Sequence, residues 1–374
     1  MPAFPSSKKA ASGKEIRAVD ALLAAAGLTP GRASRSPRGA RKRPRTSAKN
    51  LTEPHSTTLD AATPGVLRVP AFDALPWLRA GFSTRENGVS TVYAEGPQAP
   101  GELNPRRELN SRRELNLGWT THDPEPNVAA NRARLAGWVA NGAEMQLVTM
   151  RQFHSGMVRT IERDHGTLVT DNGRAVLRAD ALLTDVPGLL LGVQTADCVP
   201  VMIVDPKHKA VAVFHAGWRG TLARIVERGV GAMRLRYGSK PSDLIAAIGP
   251  AIGACCFEVG EDVRQEFESQ FSYGADLFYE VSDSDPIRKK YPMLFLTKRA
   301  PGHSSLGPQL HMDLFEANRR QLLDAGLKKR HITVSGECSG CTRLPSGARK
   351  YFSHRMEKGF TGRMMSVMGV ASGK

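Results

Sequence analysis

The chain of 374 residues has 41% hydrophobic and 24% charged residues, which is typical of a globular protein, and no apolar run long enough to span a membrane. Its formal net charge of +16 is unevenly distributed, because residues 1–50 hold 12 Lys/Arg and only two Asp/Glu. The positive charge therefore does not indicate that the rest of the chain binds nucleic acid.

Residues 1–65 are rich in Ser, Pro, Arg and Lys, which predicts a disordered basic extension before a single domain at 66–374. Within it, the run RGARKRPR at 38–45 has three interpretations: a solvated charge run, a patch that contacts nucleic acid, or part of a transit peptide. The five cysteines are too few for a disulfide framework, and no secretory signal is evident. We therefore expect a cytoplasmic protein with free thiols.

Predicted helices and strands alternate along the remaining chain. A helix is expected after Asp123, which could cap it, and it should end at Asn141 and Gly142. A strand over 147–154 should follow, and two further strands should end at Cys198 and His215. Further elements are a helix over 221–238 with Ile225, Gly229 and Met233 facing inward, a strand followed by a turn over 243–253, and a helix over 312–327. The interleaving predicts a mixed α/β fold.

Three residues with metal-binding side chains lie at the ends of these apolar strands, namely His154, Cys198 and His215. Two imidazoles and one thiolate suit Zn²⁺ and would leave a fourth position for water or substrate. The same atoms could instead form a thiol nucleophile, Cys198, with a histidine as its base. In either case Asp197 could act as an acid or orient a histidine.

Arginines in glycine-flanked or turn contexts are candidate phosphate ligands, since a guanidinium can bind phosphate through two hydrogen bonds. They are Arg85, Arg219 and Arg355, with Arg363 nearby. The alternative is that these side chains only make surface loops soluble. No phosphate-binding glycine loop of the nucleotide-binding type is present.

The other four cysteines give a weaker signal. Cys338 and Cys341 form a single C-x-x-C with no second such pair, and Cys255 and Cys256 are adjacent. The first pair could be half of a zinc site or a redox pair, but it is interpreted as structural or incidental. The second pair is interpreted mainly as packing at a turn.

Taken together, an ordered set of motifs resembles the laccase-domain family, also described as multicopper polyphenol oxidoreductase-like or purine nucleoside phosphorylase-type proteins. The motifs cover roughly residues 66–370 and read GFSTRENGVS, LNLGWTTHDPEPNVAANRARL, RQFHSGMV, ADALLTDVPGLLLGVQTADCVPVMIVDP, AVAVFHAGWRGT, AIGPAIGACCFEVGEDV, HMDLFEANRRQL and YFSHRMEKGFTGR. The resemblance implies a single-domain sandwich of two central mixed sheets with flanking helices. It also implies a zinc ion held by His154, Cys198 and His215.

The resemblance further implies phosphorolysis of adenosine, inosine, guanosine and methylthioadenosine, and deamination of adenosine, with purine nucleosides and phosphate as the small-molecule partners. A copper-dependent polyphenol oxidase is less favoured, since the 10 histidines include no H-x-H pair and one site of two histidines and a cysteine cannot hold several coppers. Two alternatives remain open. One is a cysteine-dependent hydrolase or amidase that edits peptidoglycan precursors, and the other is a non-catalytic binding protein that acts through its basic tail. The oligomeric state is not predicted.

Overall fold

A computed structural model describes residues 59–63, 65–94, 113–281 and 309–372. The predicted basic extension lies outside the described residues, apart from 59–63 and 65. The described residues fall into two compact units, one of which consists of 258–281 and 309–312 and the other of all the rest.

The first sheet of the larger unit has six strands in the order β1-β2-β3-β15-β8-β5. Only the β5–β8 pair is parallel, so this sheet is mixed. The strands are β1 (Asp60–Thr63), β2 (Val66–Arg68), β3 (Leu78–Ser83), β5 (Gln146–Thr149), β8 (Leu189–Thr195) and β15 (Met364–Val370). Strand β1 lies before residue 66, where the domain was predicted to begin, and it is held by antiparallel pairing with β2.

The second sheet also has six strands, in the order β14-β11-β9-β10-β7-β6, with parallel pairs at both edges. The strands are β6 (Val158–Ile161), β7 (Ala181–Thr184), β9 (Val199–Asp205), β10 (Ala210–Ala216), β11 (Ile245–Ile248) and β14 (Ile332–Val334). Every residue of β9 and β10 is buried. Both faces of β10 are covered, because a helix packs on one face and the first sheet on the other.

Helices flank these sheets. The larger unit contains α1 (Pro70–Asp73), α2 (Glu125–Ala140), α3 (Trp218–Leu222), α4 (Ile225–Tyr237) and α6 (Leu314–Asp324), and a short strand, β4 (Glu86–Ser90). The smaller unit contains α5 (Glu261–Gln270) and the antiparallel pair of β12 (Phe278–Val281) and β13 (Gln309–Met312). The predicted mixed α/β fold with two mixed sheets and flanking helices is confirmed. None of the helices among the described residues is long and apolar enough to cross a membrane.

Three local predictions were wrong. The strand expected over 147–154 ends at Thr149. The helix expected over 221–238 is interrupted, because Arg224 adopts a left-handed backbone conformation with φ of 57° between α3 and α4. Asp123 does not cap α2, since its carboxylate accepts hydrogen bonds from Ser90 Oγ at 2.6 Å and Asn116 Nδ2 at 2.7 Å. The predicted end of α2 at Asn141 is confirmed by its left-handed φ of 48°.

Candidate metal centre and its cavity

The fold brings His154, Cys198 and His215 together, and we call them the His–Cys–His cluster. Their ligand atoms all lie within 4.8 Å of one another. His154 is in the loop after β5, and His215 is the penultimate residue of β10. Cys198 does not end a strand as predicted, because β8 ends at Thr195 and Cys198 lies in the turn that crosses from the first sheet to the second.

Asp180 holds both histidines in place. Its buried carboxylate accepts hydrogen bonds from the backbone nitrogens of His154 (3.0 Å) and Ser155 (2.7 Å), and it lies 2.9 Å from His215 Nδ1. A carboxylate that accepts these bonds requires Nδ1 of His215 to carry the proton. Nε2 of His215 is then the nitrogen available to a metal ion, which would displace the proton that Nε2 carries in the metal-free protein.

The charges within the cluster favour the ionised thiol. Burial opposes the thiolate of Cys198, but the charge of His215 and hydrogen bonds from both histidines lower the pKa of Cys198 to about 6. Burial likewise opposes the charged form of His215, yet the Cys198 thiolate and Asp180 raise the pKa of His215 to about 9. Against the effect of burial, hydrogen bonds from His215 and Ser155 lower the pKa of Asp180 to about 2. A thiolate at neutral pH can serve as a metal ligand or as a nucleophile.

The backbone leaves space around the cluster. A Cβ atom added at Gly217, just before α3, would lie 2.9 Å from Cys198 Sγ and 3.2 Å from His154 Cδ2. His154 and Asp197 have positive φ angles of 60° and 90°, which cost non-glycine residues free energy. The donor set, the tautomer of His215 and this space all fit a bound metal ion.

Among the described residues, Asp197 makes no hydrogen bond with His154 or His215. Its carboxylate accepts hydrogen bonds from Ser339 Oγ and from the backbone nitrogen of Arg355, both at 2.7 Å. The orienting role expected of Asp197 is therefore carried by Asp180. Asp197 instead connects the turn that carries Cys198 to two distant segments of the chain.

The cluster opens into a cavity of about 500 Å³, a volume in the usual range for small-molecule sites. Aromatic, amide and positively charged side chains surround it. The lining residues are Met150, Gln152, His154, Gln194, Ala196, Asp197, Cys198, His215, Trp218, Ile252, Phe257, His354, Arg355 and Arg363.

Only one of the three arginines predicted to bind phosphate lines this cavity. Arg355 does, whereas Arg219 is exposed and its guanidinium lies over the Trp218 ring at 4.3 Å. Arg85 is buried and does not line the cavity. It forms ion pairs with Glu114 at 2.6 Å and with Glu357 at 2.5 Å. The phosphate contact predicted for Arg85 is not supported by this geometry.

Sequence reasoning missed several site residues, among them Asp180 and Gln194 and the aromatic residues Trp218 and Phe257. Asp180 directly precedes the apolar strand β7 and is fully buried. An acidic residue at a buried strand end is a usable signal, because a buried carboxylate needs partners. The sequence contained no comparable signal for Gln194.

Comparisons with known proteins place this architecture in a family. Residues 79–371 match the family described as multi-copper polyphenol oxidoreductase laccase. The chain belongs to this family. Proteins with other names are also similar to the chain over most of its length.

Two curated relatives and one solved structure illustrate the similarity. A purine nucleoside phosphorylase, YlmD, from Geobacillus stearothermophilus is 34% identical over 301 residues, covering 79% of this chain and 95% of the relative. A protein named adenosine deaminase, from an unknown prokaryotic organism, is 34% identical over 232 residues, covering 62% of this chain and 79% of the relative. The crystal structure of the Bacillus licheniformis hypothetical protein YfiH superposes with a TM-score of 0.63 at 28% identity, covering 83% of this chain and 98% of that one.

The family description refers to several copper ions, and the donor groups can be compared with it. Within the described part of the chain, two groups of side chains have their donor atoms close enough to hold a metal ion, and only the His–Cys–His cluster contains histidine. Multicopper oxidation requires several histidine-rich centres. This laccase family member therefore lacks that arrangement among its described residues.

Proposed function

We propose that the protein is a zinc-dependent purine nucleoside enzyme. The reactions are phosphorolysis of adenosine, inosine, guanosine and methylthioadenosine, and deamination of adenosine to inosine. The observation that carries this proposal is the His–Cys–His cluster at a cavity of about 500 Å³ that also presents aromatic and arginine side chains. The printed names of the relatives, purine nucleoside phosphorylase and adenosine deaminase, support the same substrate class.

His154, Cys198 and His215 would hold the zinc ion, and three protein ligands are typical of catalytic rather than structural zinc sites. When bound, the ion supplies a Lewis acid and lowers the pKa of a coordinated water. Asp180 accepts a hydrogen bond from Nδ1 of His215, so Nε2 would be the ligand atom and would lose its proton when zinc binds.

The purine base would be held by Trp218 and Phe257, which offer flat apolar surfaces in the cavity. The side-chain amide of Gln152 donates to the backbone oxygen of Gln194 (2.7 Å) and accepts from the backbone nitrogen of Gln194 (2.8 Å), which positions Gln152. The side chain of Gln194 also lines the cavity and offers a donor and an acceptor suited to a purine edge.

Phosphate would be bound by Arg355 and Arg363, the two arginines that line the cavity. The guanidinium of Arg363 is oriented by hydrogen bonds from Nη1 to the carbonyl oxygens of Thr361 (3.2 Å) and Gly362 (3.0 Å). In phosphorolysis, an oxygen of hydrogen phosphate bonds to C1′ as the bond from C1′ to the purine nitrogen breaks. The purine takes that electron pair and the proton of hydrogen phosphate. In deamination, water adds at C6 and ammonia leaves.

The test is incubation of purified, zinc-loaded protein with adenosine, with and without phosphate. Adenine and ribose 1-phosphate formed only with phosphate identify phosphorolysis, and inosine formed without phosphate identifies deamination. The absence of both products from zinc-loaded protein would overturn the proposal.

A second candidate function is a cysteine-dependent hydrolase or amidase. It is favoured by one specific observation, the sequence of contacts from Cys198 to His215 to Asp180, in which the pKa of the thiol is lowered to about 6. This order of groups is the one used by thiol hydrolases. If metal-free protein retains full amidase activity and alkylation of Cys198 abolishes it, this second function replaces the first.

A further inference from the structure

Four cysteines from two segments that are far apart in the sequence converge in the fold, and we call them the four-cysteine cluster. They are Cys255, Cys256, Cys338 and Cys341, whose Sγ atoms all lie within 4.8 Å of one another. Sγ of Cys255 lies 3.5 Å from Sγ of Cys341. The cluster shares no residue with the His–Cys–His cluster or with the lining of the cavity.

Packing does not account for the cluster. Free cysteines that serve as small apolar side chains are among the most buried residues, yet Cys255 and Cys341 are exposed to solvent and only Cys338 is buried. Exposed cysteines from two separate segments gain little from contact with one another. Their convergence therefore requires another explanation.

The backbone holds the two cysteine segments together through its own hydrogen bonds. Ala251 pairs with Cys338 in a parallel bridge, and the backbone nitrogen of Ser339 donates to the Ala251 oxygen at 2.8 Å. The turn that carries Cys256 closes with a bond from its nitrogen to the Gly253 oxygen at 2.9 Å. The sulfur ligands are thus brought together by the fold before any ion binds.

The surroundings suit an anionic group of sulfurs. The backbone nitrogen of Gly253 lies 3.2 Å from Cys338 Sγ, as donor to the sulfur. Arg349 donates from Nη1 to the carbonyl oxygen of Gly340 at 2.5 Å, which places a positive charge against the Cys338–Cys341 turn. A Cβ atom at Gly340 would lie 3.1 Å from Cys256 Sγ, so glycine leaves the space that the sulfur needs.

We propose that the four-cysteine cluster is a second metal site, which binds a single Zn²⁺ ion through four thiolates. Four thiolates about 2.3 Å from one zinc ion lie roughly 3.8 Å apart in a tetrahedron, in keeping with the observed separations. A four-iron cluster fits less well, because each thiolate then binds a different iron and the sulfurs lie farther apart. With all four ligands supplied by protein, the site is closed to substrate and its role is structural.

The ion links two segments that shape the cavity. Cys255 and Cys256 lie between two residues that line the cavity, Ile252 and Phe257. The segment of Cys338 and Cys341 includes Ser339, whose hydroxyl bonds Asp197 beside Cys198. Zinc at the four-cysteine cluster therefore fixes one wall of the cavity and the turn that carries Cys198, whatever reaction occurs there.

The test measures zinc in full-length protein that carries His154→Ala and Cys198→Ala, so that the four-cysteine cluster is intact and the other cluster is disabled. We expect about one tightly bound zinc per chain, and X-ray absorption should show four sulfur neighbours at about 2.3 Å. Adding Cys341→Ser to this variant should remove most of that zinc. Thr342→Ser in the same background is the matched control and should leave the zinc in place.

Three results would overturn the proposal. The first is a chain without bound metal, in which mass spectrometry finds disulfides or four free thiols. The second is zinc with mainly nitrogen and oxygen neighbours, and the third is iron with sulfide. Because zinc content and X-ray absorption need no substrate, failure of this proposal is distinguishable from failure of the proposed function.

Discussion

At the scale of single residues, Asp180 is expected to affect the His–Cys–His cluster without belonging to it. It does not line the cavity and acts by positioning His154 and His215. Asp180→Asn should lower zinc affinity at this cluster by about 10–100-fold, because the amide can no longer accept every one of these bonds. Competition with a chromophoric chelator measures the affinity.

Asp205 offers a matched control for this substitution. It is also a buried carboxylate that pairs with a histidine, His208, whose Nδ1 lies at 2.8 Å, but it does not line the cavity. Asp205→Asn should therefore leave zinc affinity unchanged. Equal zinc affinity in wild type and Asp180→Asn would contradict the positioning role.

Arg85 is expected to affect stability rather than phosphate binding. Its removal takes the Arg85 ion pair away from Glu114, which is only 1% exposed. Breaking a buried pair in this way costs about 3–5 kcal/mol. Arg85→Ala should reduce the free energy of unfolding by that amount, as measured by urea denaturation, while the folded variant keeps its KM for phosphate.

Arg219 is the control, because it is exposed and contacts Trp218. Arg219→Ala should change the free energy of unfolding by less than about 1 kcal/mol. If Arg85→Ala instead kept full stability and raised the KM for phosphate, the phosphate contact predicted from sequence would be restored.

The candidate donors His154, Cys198 and His215 could be chosen from the sequence because thiols and imidazoles beside apolar runs are chemically specific and because the family resemblance implied the same residues. The environment of Arg85 could not be predicted from the sequence, since its partner Glu357 lies 272 positions away. The turn residues beside Arg85 indicated exposure, whereas burial depends on these distant partners. Asp180 was missed for the same reason, because it bonds residues 25 to 35 positions away.

At the scale of elements, we expect opposite effects on stability when two glycines of helix α4 are replaced by alanine. A Cβ atom at Gly229 would lie 1.9 Å from the ring of Phe214, the neighbour of His215 in β10, whereas one at Gly231 would meet nothing within 4 Å. Gly229→Ala should destabilise the protein by about 1–3 kcal/mol through overpacking. Gly231→Ala should stabilise it by about 0.5–1 kcal/mol, because alanine favours helix.

Urea denaturation of the two variants measures both effects. Gly229→Ala should also weaken zinc binding, since relief of the clash moves β10 and with it His215. Equal stability of the two variants would show that α4 does not pack on β10 as described.

The interruption between α3 and α4 shows which features of a helix could be predicted from the sequence and which could not. The inward positions of Ile225, Gly229 and Met233 followed from helical periodicity and are confirmed by their burial. The left-handed conformation of Arg224 could not be predicted, because the sequence has no glycine or proline at this point. Its conformation lets α3 end after a few residues, so Trp218 can face the cavity while α4 packs on the sheet.

At the scale of the whole molecule, the two sheets followed from the family resemblance and the alternation of elements. The convergence of the two cysteine pairs could not be predicted, because Cys338 lies 82 positions after Cys256, and spacing alone left the C-x-x-C without a partner. The crossing between sheets is equally non-local, since Cys198 connects β8 of one sheet to β9 of the other. Sequence patterns predict which residues are capable of binding metal, and tertiary structure determines which of them meet.

The central claim is that a purine nucleoside reacts at the His–Cys–His cluster. The most direct measurement compares adenosine turnover, with phosphate present, by zinc-loaded wild type and by Cys198→Ala, together with the zinc content of each. We expect turnover by wild type, and in Cys198→Ala at least a hundredfold slower turnover with the loss of about one zinc per chain. Undiminished turnover by Cys198→Ala, or no turnover by zinc-loaded wild type, would contradict it.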